Sequence, residues 1–425
     1  MSTIFAPITG RGGAVATLRL SGPESFRIMR DMTGTPPPPR HAGLRRLRHG
    51  GKLLDEALVV MFPAPRSFTG EDVAEISIHG GRAVQAAVSE ALVALGARPA
   101  EPGEFSRRAF ETGRMDLLQA EAMADLIAAE TQAQREQALE GGVHEACAAW
   151  RESLRQLMAR QEALIDFPDE DLPPEVEEAL RAGIAALRDE MQAALYAAPA
   201  AERLREGLEF VILGAPNAGK STLLNALAGE EVAIVSELPG TTRDAVGARV
   251  DLGGVPVRLT DTAGLRETGD VIEAEGVRRA RARAERADFV ILVAGPGGNF
   301  APAPAGAAVL RVRTKADLPV DLADAAGELC VSAKTGAGLA ALRARLVDEA
   351  RTLTDNKGAA ALARPRQVAC VRDAVMALEM ALALEEPELR AEELRAAAQG
   401  LARLAGGIGV EEILDAVFSG FCIGK

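Results

Sequence analysis

The sequence predicts a multidomain chain that joins α/β parts to an all-α part, and three patterns support this reading. Residues 208–351 alternate apolar strand-like runs with helices, as a parallel sheet does. Before and after that stretch, apolar side chains recur at helical spacing. Residues 1–117 instead mix short strand-like runs with glycine and proline turns. The expected layout is an α/β domain over 1–117, a discontinuous helical domain over 118–207 and 352–425, and a parallel α/β domain over 208–351 inserted into it.

Taken in order, AVATLRL, ALVVMF and VAEISIHG read as strands, and VQAAVSEALVAL as the one helical stretch of the first domain. From Leu117, apolar residues at 118, 122, 123, 126 and 127 begin the helical region, which continues through Leu154, Leu157, Met158 and Leu164. The acidic run DFPDED at 166–171, with Pro173 and Pro174 after it, reads as a loop opening a helix over 175–206. A metal site there is the alternative; acids favouring a helix N-terminus is the preferred reading. LEFVILG then starts the parallel domain, ADFVILVAG is a further strand, and PGGNFAPAPAG at 296–306 is a turn-rich loop. Helical spacing resumes over 366–384 and 390–404.

Composition narrows the class. With 48 Lys and Arg against 61 Asp and Glu, the net charge of -13 leaves no global positive field for nucleic acid, so any RNA contact needs a local patch. Cys147, Cys330, Cys370 and Cys422 lack CxxC spacing, which argues against disulfides and zinc and for a reducing interior. No signal pattern opens the chain and no apolar run approaches the roughly 18 residues that span a bilayer, so a cytoplasmic, soluble protein without a membrane partner is expected.

The chemistry concentrates in ordered motifs. GAPNAGKS at 214–221 sits between a strand and the helical LLNALAG, the context of a phosphate-binding P-loop. There the backbone from Asn217, Ala218 and Gly219 to Thr222 closes around phosphates, Lys220 neutralises their charge, and Ser221 offers a hydroxyl to Mg²⁺. DTAG at 261–264 ends a second strand, so Asp261 can hold a Mg²⁺-bound water, with Thr262 and Ala263 leading to the Gly264 amide near the γ-phosphate. In TKAD, Thr314, Lys315 and Asp317 form the base-reading loop; the Asp317 carboxylate accepts from guanine N–H groups that adenine lacks. Thr314 stands where asparagine is usual. Ser332, Ala333 and Lys334 supply a backbone N–H for the guanine oxygen. Within GTTRD at 240–244, Thr242 resembles a switch threonine completing Mg²⁺ coordination, beside Thr241. The inserted domain is therefore expected to be a P-loop, Ras-like G domain hydrolysing GTP. Leu265 cannot orient water, so another residue must.

These motifs, together with GRGGAVATLRLSG, SFTGEDVAEISIHGG at 67–81, PGEFSRRAF at 102–110 and the terminal FCIGK, resemble the MnmE (TrmE) family of tRNA-modification GTPases from end to end. The resemblance implies a folate-binding N-terminal domain that dimerises. It implies K⁺ beside the phosphates, held by Asn217, Ser236, Leu238 and Thr241, and a water-orienting catalytic Glu273, twelve residues beyond Asp261, acting with Lys220. Folate positions fall on Arg19, Glu75, Arg114 (lysine in some members) and Lys425. Cys422 has a chemical role or is merely a buried thiol; both remain open. The family acts as a heterotetramer with an FAD-dependent partner related to the glucose-inhibited division protein A. It uses 5,10-methylenetetrahydrofolate (or a 5-formyl form) and glycine or ammonium to add a (carboxymethyl)aminomethyl group to C5 of the wobble uridine of certain tRNAs. Basic runs at Arg45, Arg46 and Arg48, and at Arg278, Arg279, Arg281 and Arg283, are candidate tRNA or partner contacts, with solvated faces preferred. The segment between PGGNF and TKAD is shorter than the family pattern, so a helix is expected to be shortened or lost. The competing readings are a ribosome-assembly or signalling GTPase, and a folate-dependent transferase; the N-terminal motifs argue against the first and the inserted G domain against the second.

Overall fold

The computed structural model describes residues 2–10, 12–166, 174–230, 247–261, 282–318, 328–356, 358–407, 414, 418, 421 and 424. They form two compact units, one of residues 1–124 with 402–425, the other of residues 125–401.

The first unit is built on β1 (Ile4–Pro7), β2 (Val15–Ser21), β3 (Gly43–His49), β4 (Lys52–Phe62), β5 (Val73–His79) and β6 (Arg98–Pro99), in sheet order β3-β4-β5-β2-β1-β6. Helices α1 (Ser25–Thr33), α2 (Arg82–Ala94) and α3 (Glu104–Glu111) accompany them, and α4 (Leu117–Ala128) spans the division between the units. Period-two alternation sends Leu18, Leu20, Ile76 and Ile78 into a core with Ile28, Met29, Met32, Val88 and Leu92. The other face of the antiparallel β2–β5 pair sets Thr17 opposite Ser77 and Arg19 opposite Glu75. Three helices thus stand in the first 117 residues where the sequence pattern gave one. Neither α1 nor α3 has a side-chain N-cap bond, and α3 buries Arg108, a residue type that reads as solvated surface. The C-terminal tail belongs to this unit. Leu414 and Phe418 pack with Leu117 and Ala120, and a Cβ on Gly103 would meet the Phe418 carbonyl oxygen at 2.3 Å, an approach only glycine permits.

In the second unit, α5 (Gln132–Glu140), α6 (Val143–Asp166) and α7 (Pro174–Glu206) precede β7 (Leu208–Gly214) and α8 (Lys220–Glu230). Then come β8 (Gly247–Leu252), β9 (Val255–Asp261), β10 (Phe289–Ala294), β11 (Val309–Arg313), β12 (Leu329–Cys330), α9 (Leu339–Thr354), α10 (Pro365–Ala383) and α11 (Pro387–Leu404). The sheet order is β12-β11-β10-β7-β9-β8, with β8 antiparallel to β9 and every other pair parallel. Phe210, Ile212, Ile291 and Val312 pack one face against Leu223, Leu342 and Leu346. Helices α7 and α10 lie antiparallel, because Arg181 Nη1 donates to the Leu382 carbonyl at 3.1 Å and Arg205 Nε to the Ala363 carbonyl at 2.9 Å.

Two local features position the site. Between β10 and β11 the chain crosses from one parallel strand to the next with no helix; Phe300, Ala301 and Ala307 cover Val211, Val290 and Leu292 instead. The proline-rich composition cannot sustain a helix there, in line with the loss expected from the sequence. At the other feature, α7 passes into β7 through Gly207 alone, in the left-handed region at φ 86°. Asp288 clamps that junction by accepting from Arg203 Nε at 3.0 Å and from the Glu209 amide at 2.9 Å. Among the described residues no helix is long and apolar enough to cross a membrane.

Candidate nucleotide site

The strand ends that carry the motifs converge at the carboxyl edge of the second sheet, where open parallel sheets bind ligands. β7 is buried through Phe210, Val211 and Ile212, and ends at Gly214, where a Cβ would come within 2.1 Å of the Val293 carbonyl oxygen. Only glycine lets the phosphate loop leave the sheet at that point. Asn217 (φ 59°) and Gly219 (φ 89°) then turn the loop through the left-handed region, so that Lys220 opens α8. Asparagine tolerates this conformation better than most residues.

Lys220 is 5% exposed, and its Nζ donates to the Ala215 carbonyl at 2.9 Å. Burial pushes its ammonium below the ordinary lysine value, and the Asp261 charge partly offsets this. Ser221 Oγ donates to Asp261 Oδ2. A hydroxyl and a carboxylate in direct contact are hard oxygen donors of the kind Mg²⁺ takes, so this pair fits that ion. Thr222 follows on the first turn of α8.

The base-reading loops are tied to the phosphate loop. Thr314, 3% exposed, donates through Oγ1 to the Ala218 carbonyl, and its amide donates to the Ala294 carbonyl at 2.9 Å. Lys315 adopts φ 58° and its Nζ reaches the Asn217 carbonyl at 2.9 Å. Ser332 Oγ donates to Asp317 Oδ1 at 2.7 Å. That hydrogen bond, with help from the Lys334 charge, holds the Asp317 carboxyl below its usual range, so it is an acceptor at neutral pH. Ser332 is itself fixed, fully buried, by Thr335 N–H donating to its oxygen at 3.2 Å; Ala333 and Lys334 follow it. The structure therefore brings together Asn217, Ala218, Gly219, Lys220, Ser221, Asp261, Thr314, Lys315, Asp317 and Ser332. Ser236, Leu238, Thr241, Thr242, Thr262, Ala263, Gly264 and Glu273 lie outside the described residues, as do Cys422, Lys425 and the acidic stretch 167–171.

Comparison with known proteins identifies the chain's relatives. The family profile described as GTP-binding protein TrmE N-terminus matches residues 3–114, and that described as MnmE helical domain matches residues 117–422. A tRNA modification GTPase MnmE from Acidiphilium cryptum is 61% identical over 99% of this chain and 98% of its own length. Proteins of the same name from Gluconacetobacter diazotrophicus (53% identical, 99% of this chain, 98% of that one) and Rhodospirillum rubrum (51%, 100% of each) align as completely. The chain belongs to the MnmE family.

In this MnmE-family chain, the described candidate folate residues Arg19, Glu75 and Arg114 lie in the first unit. Arg19 and Glu75 face each other across β2 and β5 as an ion pair, with Arg19 Nε and Nη2 both donating to Glu75 Oε1 at 3.0 and 2.8 Å. The Arg19 guanidinium sits 4.4 Å from the Phe68 ring centroid and 5.8 Å from that of Phe105. Arg114 is exposed and lies beside Gly70. The MnmE motifs SFTGED and PGEFSRRAF also build a buried network that the sequence reading missed. Arg108 Nη1 donates to Glu71 at 3.0 Å and Nη2 to Glu104 at 2.8 Å, while Ser21, itself bonded to Thr69, donates to Glu71 at 2.7 Å. Only the close spacing of acid and base within PGEFSRRAF hinted at it.

Proposed function

We propose that this MnmE-family chain is a GTP-hydrolysing enzyme of tRNA modification. The observation that carries the reading is the convergence, on one sheet edge, of a phosphate loop, a Ser221–Asp261 oxygen pair and the Ser332-held Asp317 carboxylate, within a chain whose full-length relatives are named tRNA modification GTPases. Lys220 neutralises charge on the transferred phosphoryl group, and Glu273 orients the attacking water. Ser221 and Thr242 would hold Mg²⁺, Asp261 through a bound water, and Asn217, Ser236, Leu238 and Thr241 would hold K⁺. These cations supply compensation for negative charge developing at the phosphates. Asp317 selects guanine by accepting from its N–H edge.

The N-terminal domain, residues 1–117, takes a tetrahydrofolate derivative and dimerises; the helical domain (118–207 and 352–425) carries the G domain (208–351). Because both Arg19 donations end on Glu75 Oε1, Arg19 orients that carboxylate so that Oε2 is left to accept from a pterin N–H edge. Arg114 and Lys425 meet the folate's glutamate tail. Acting in the cytoplasm with an FAD-dependent partner, the homodimer adds a (carboxymethyl)aminomethyl group to C5 of the wobble uridine. Nucleoside mass spectrometry of tRNA from a strain lacking the gene tests this: the modified wobble nucleoside should disappear and return with the wild-type gene. An unchanged wobble uridine would refute the assignment.

A further inference from the structure

Arg313 ends β11 and immediately precedes the base-reading loop. Its side chain, 17% exposed, reaches two other stretches of chain. Nε donates to Glu328 Oε2 at 2.8 Å, and Nη1 donates to the carbonyls of Gly295 at 3.0 Å and Gly298 at 3.1 Å. The guanidinium carbon lies 5.0 Å from the centroid of the Phe300 ring. Gly295, Gly298 and Phe300 belong to the crossover that has no helix, and Glu328 stands four residues before Ser332. One planar group thus joins the crossover, the strand leading to Asp317 and the strand leading to Ser332.

The backbone ties this corner by a short strip only. β12 has two residues, paired with β11 at Val312–Leu329 and Arg313–Cys330, and beyond them the Val331 amide donates to the Arg313 carbonyl at 2.8 Å and the Ala316 amide to the Val331 carbonyl at 3.1 Å; so short a strand contributes little independent order. Discrimination by Asp317, however, depends on the 2.7 Å hydrogen bond from Ser332, and hydrogen bonds weaken steeply once geometry drifts. Whatever fixes the distance between these two loops therefore fixes the orientation of the carboxylate.

We infer that Arg313 is a positioning residue for guanine recognition, its guanidinium setting the separation between the Asp317 and Ser332 loops in place of the helix that the crossover lacks. The inference rests on the guanine-nucleotide reading of the site. A lysine cannot substitute, since an ammonium lacks the rigid fork that serves Glu328 and two carbonyls at once and stacks on Phe300. Asp317 touches the base; Arg313 acts through it.

The test compares GDP and IDP, which differ by the 2-amino group that Asp317 recognises, by calorimetric titration of the full chain. Wild type should prefer GDP over IDP. Arg313→Lys and Glu328→Gln should each lower that preference about fivefold or more, with IDP weakened less than GDP because it keeps only the N1–H bond to Asp317 and otherwise rests on the phosphate loop. These two conservative variants are the measurement even where Arg313→Ala fails to fold. A GDP/IDP preference kept intact in both variants, or GDP and IDP weakened in parallel, would overturn the inference. A wild-type chain that does not prefer GDP over ADP would instead overturn the guanine reading beneath it.

Discussion

At residue 314 a single hydroxyl holds together two loops that lie 96 positions apart in the chain. Replacing it with the isosteric Thr314→Val leaves the buried Ala218 carbonyl without its side-chain donor, a loss worth about 1–3 kcal/mol. Expressed in binding, this should weaken GDP about tenfold, as read by titration with a fluorescent analogue; unchanged affinity would show the tether to be incidental. In the sequence alone, Thr314 stood out only as a departure from the usual asparagine. The hydroxyl's bond to the phosphate loop shows how threonine keeps the loops connected. Local spacing made Lys220, Ser221 and Asp317 legible, because a phosphate loop and a base-reading tetrapeptide are contiguous patterns. The tether was not legible, since its acceptor is a backbone carbonyl, which every residue possesses. The same holds for Lys315 reaching the Asn217 carbonyl across 98 positions.

Among the elements, the sequence hid α1 and α3, and for α3 the reason is electrostatic. Its amphipathic pattern is carried by charged side chains that turn inward: Arg108 is 6% exposed and Glu104 12%. Breaking such a pair by removing one partner costs about 3–5 kcal/mol, so Arg108→Ala should destabilise the first unit by that order in a melting experiment. Burial by itself raises the Glu104 carboxyl. Hydrogen bonds from Arg98, the Glu101 amide and Arg108 outweigh that effect and leave it net below the usual 4.5. With the folded value lowered, the stabilisation is complete above the unfolded-chain value and is lost as pH falls through the folded one. The melting temperature of wild type should therefore drop more steeply between about pH 6 and about pH 3 than that of Glu104→Gln, already less stable at the upper end. Equal slopes would remove Glu104 from the acid response. The crossover before β11 was legible by contrast, because proline forbids helix locally and no distant partner was needed to say so.

At the scale of the whole molecule, the passage from helix to strand at Leu208 was readable from the change in apolar period there. That the last residues pack with the first unit was not, since Leu414 and Phe418 find their partners nearly 300 positions away, at Leu117 and Ala120. The proposed hydrolysis cycle pairs two chains of net charge -13, which repel one another, and a monovalent cation enclosed at the phosphates would lessen the charge brought together. GTP turnover should accordingly run several-fold faster in K⁺ than in Na⁺ at equal ionic strength, and rise per site with protein concentration. Equal rates in the two salts would end the potassium assignment. The strand that leads to the phosphate loop meets its preceding helix through a joint of one residue, Gly207. The 33-residue helix beyond it extends about 50 Å, and Asp288 grips its near end. A swing of about 5° at the sheet would carry the far tip of that arm about 4 Å. Motion carried through that joint would reach the far end of α7 enlarged in distance and reduced in force.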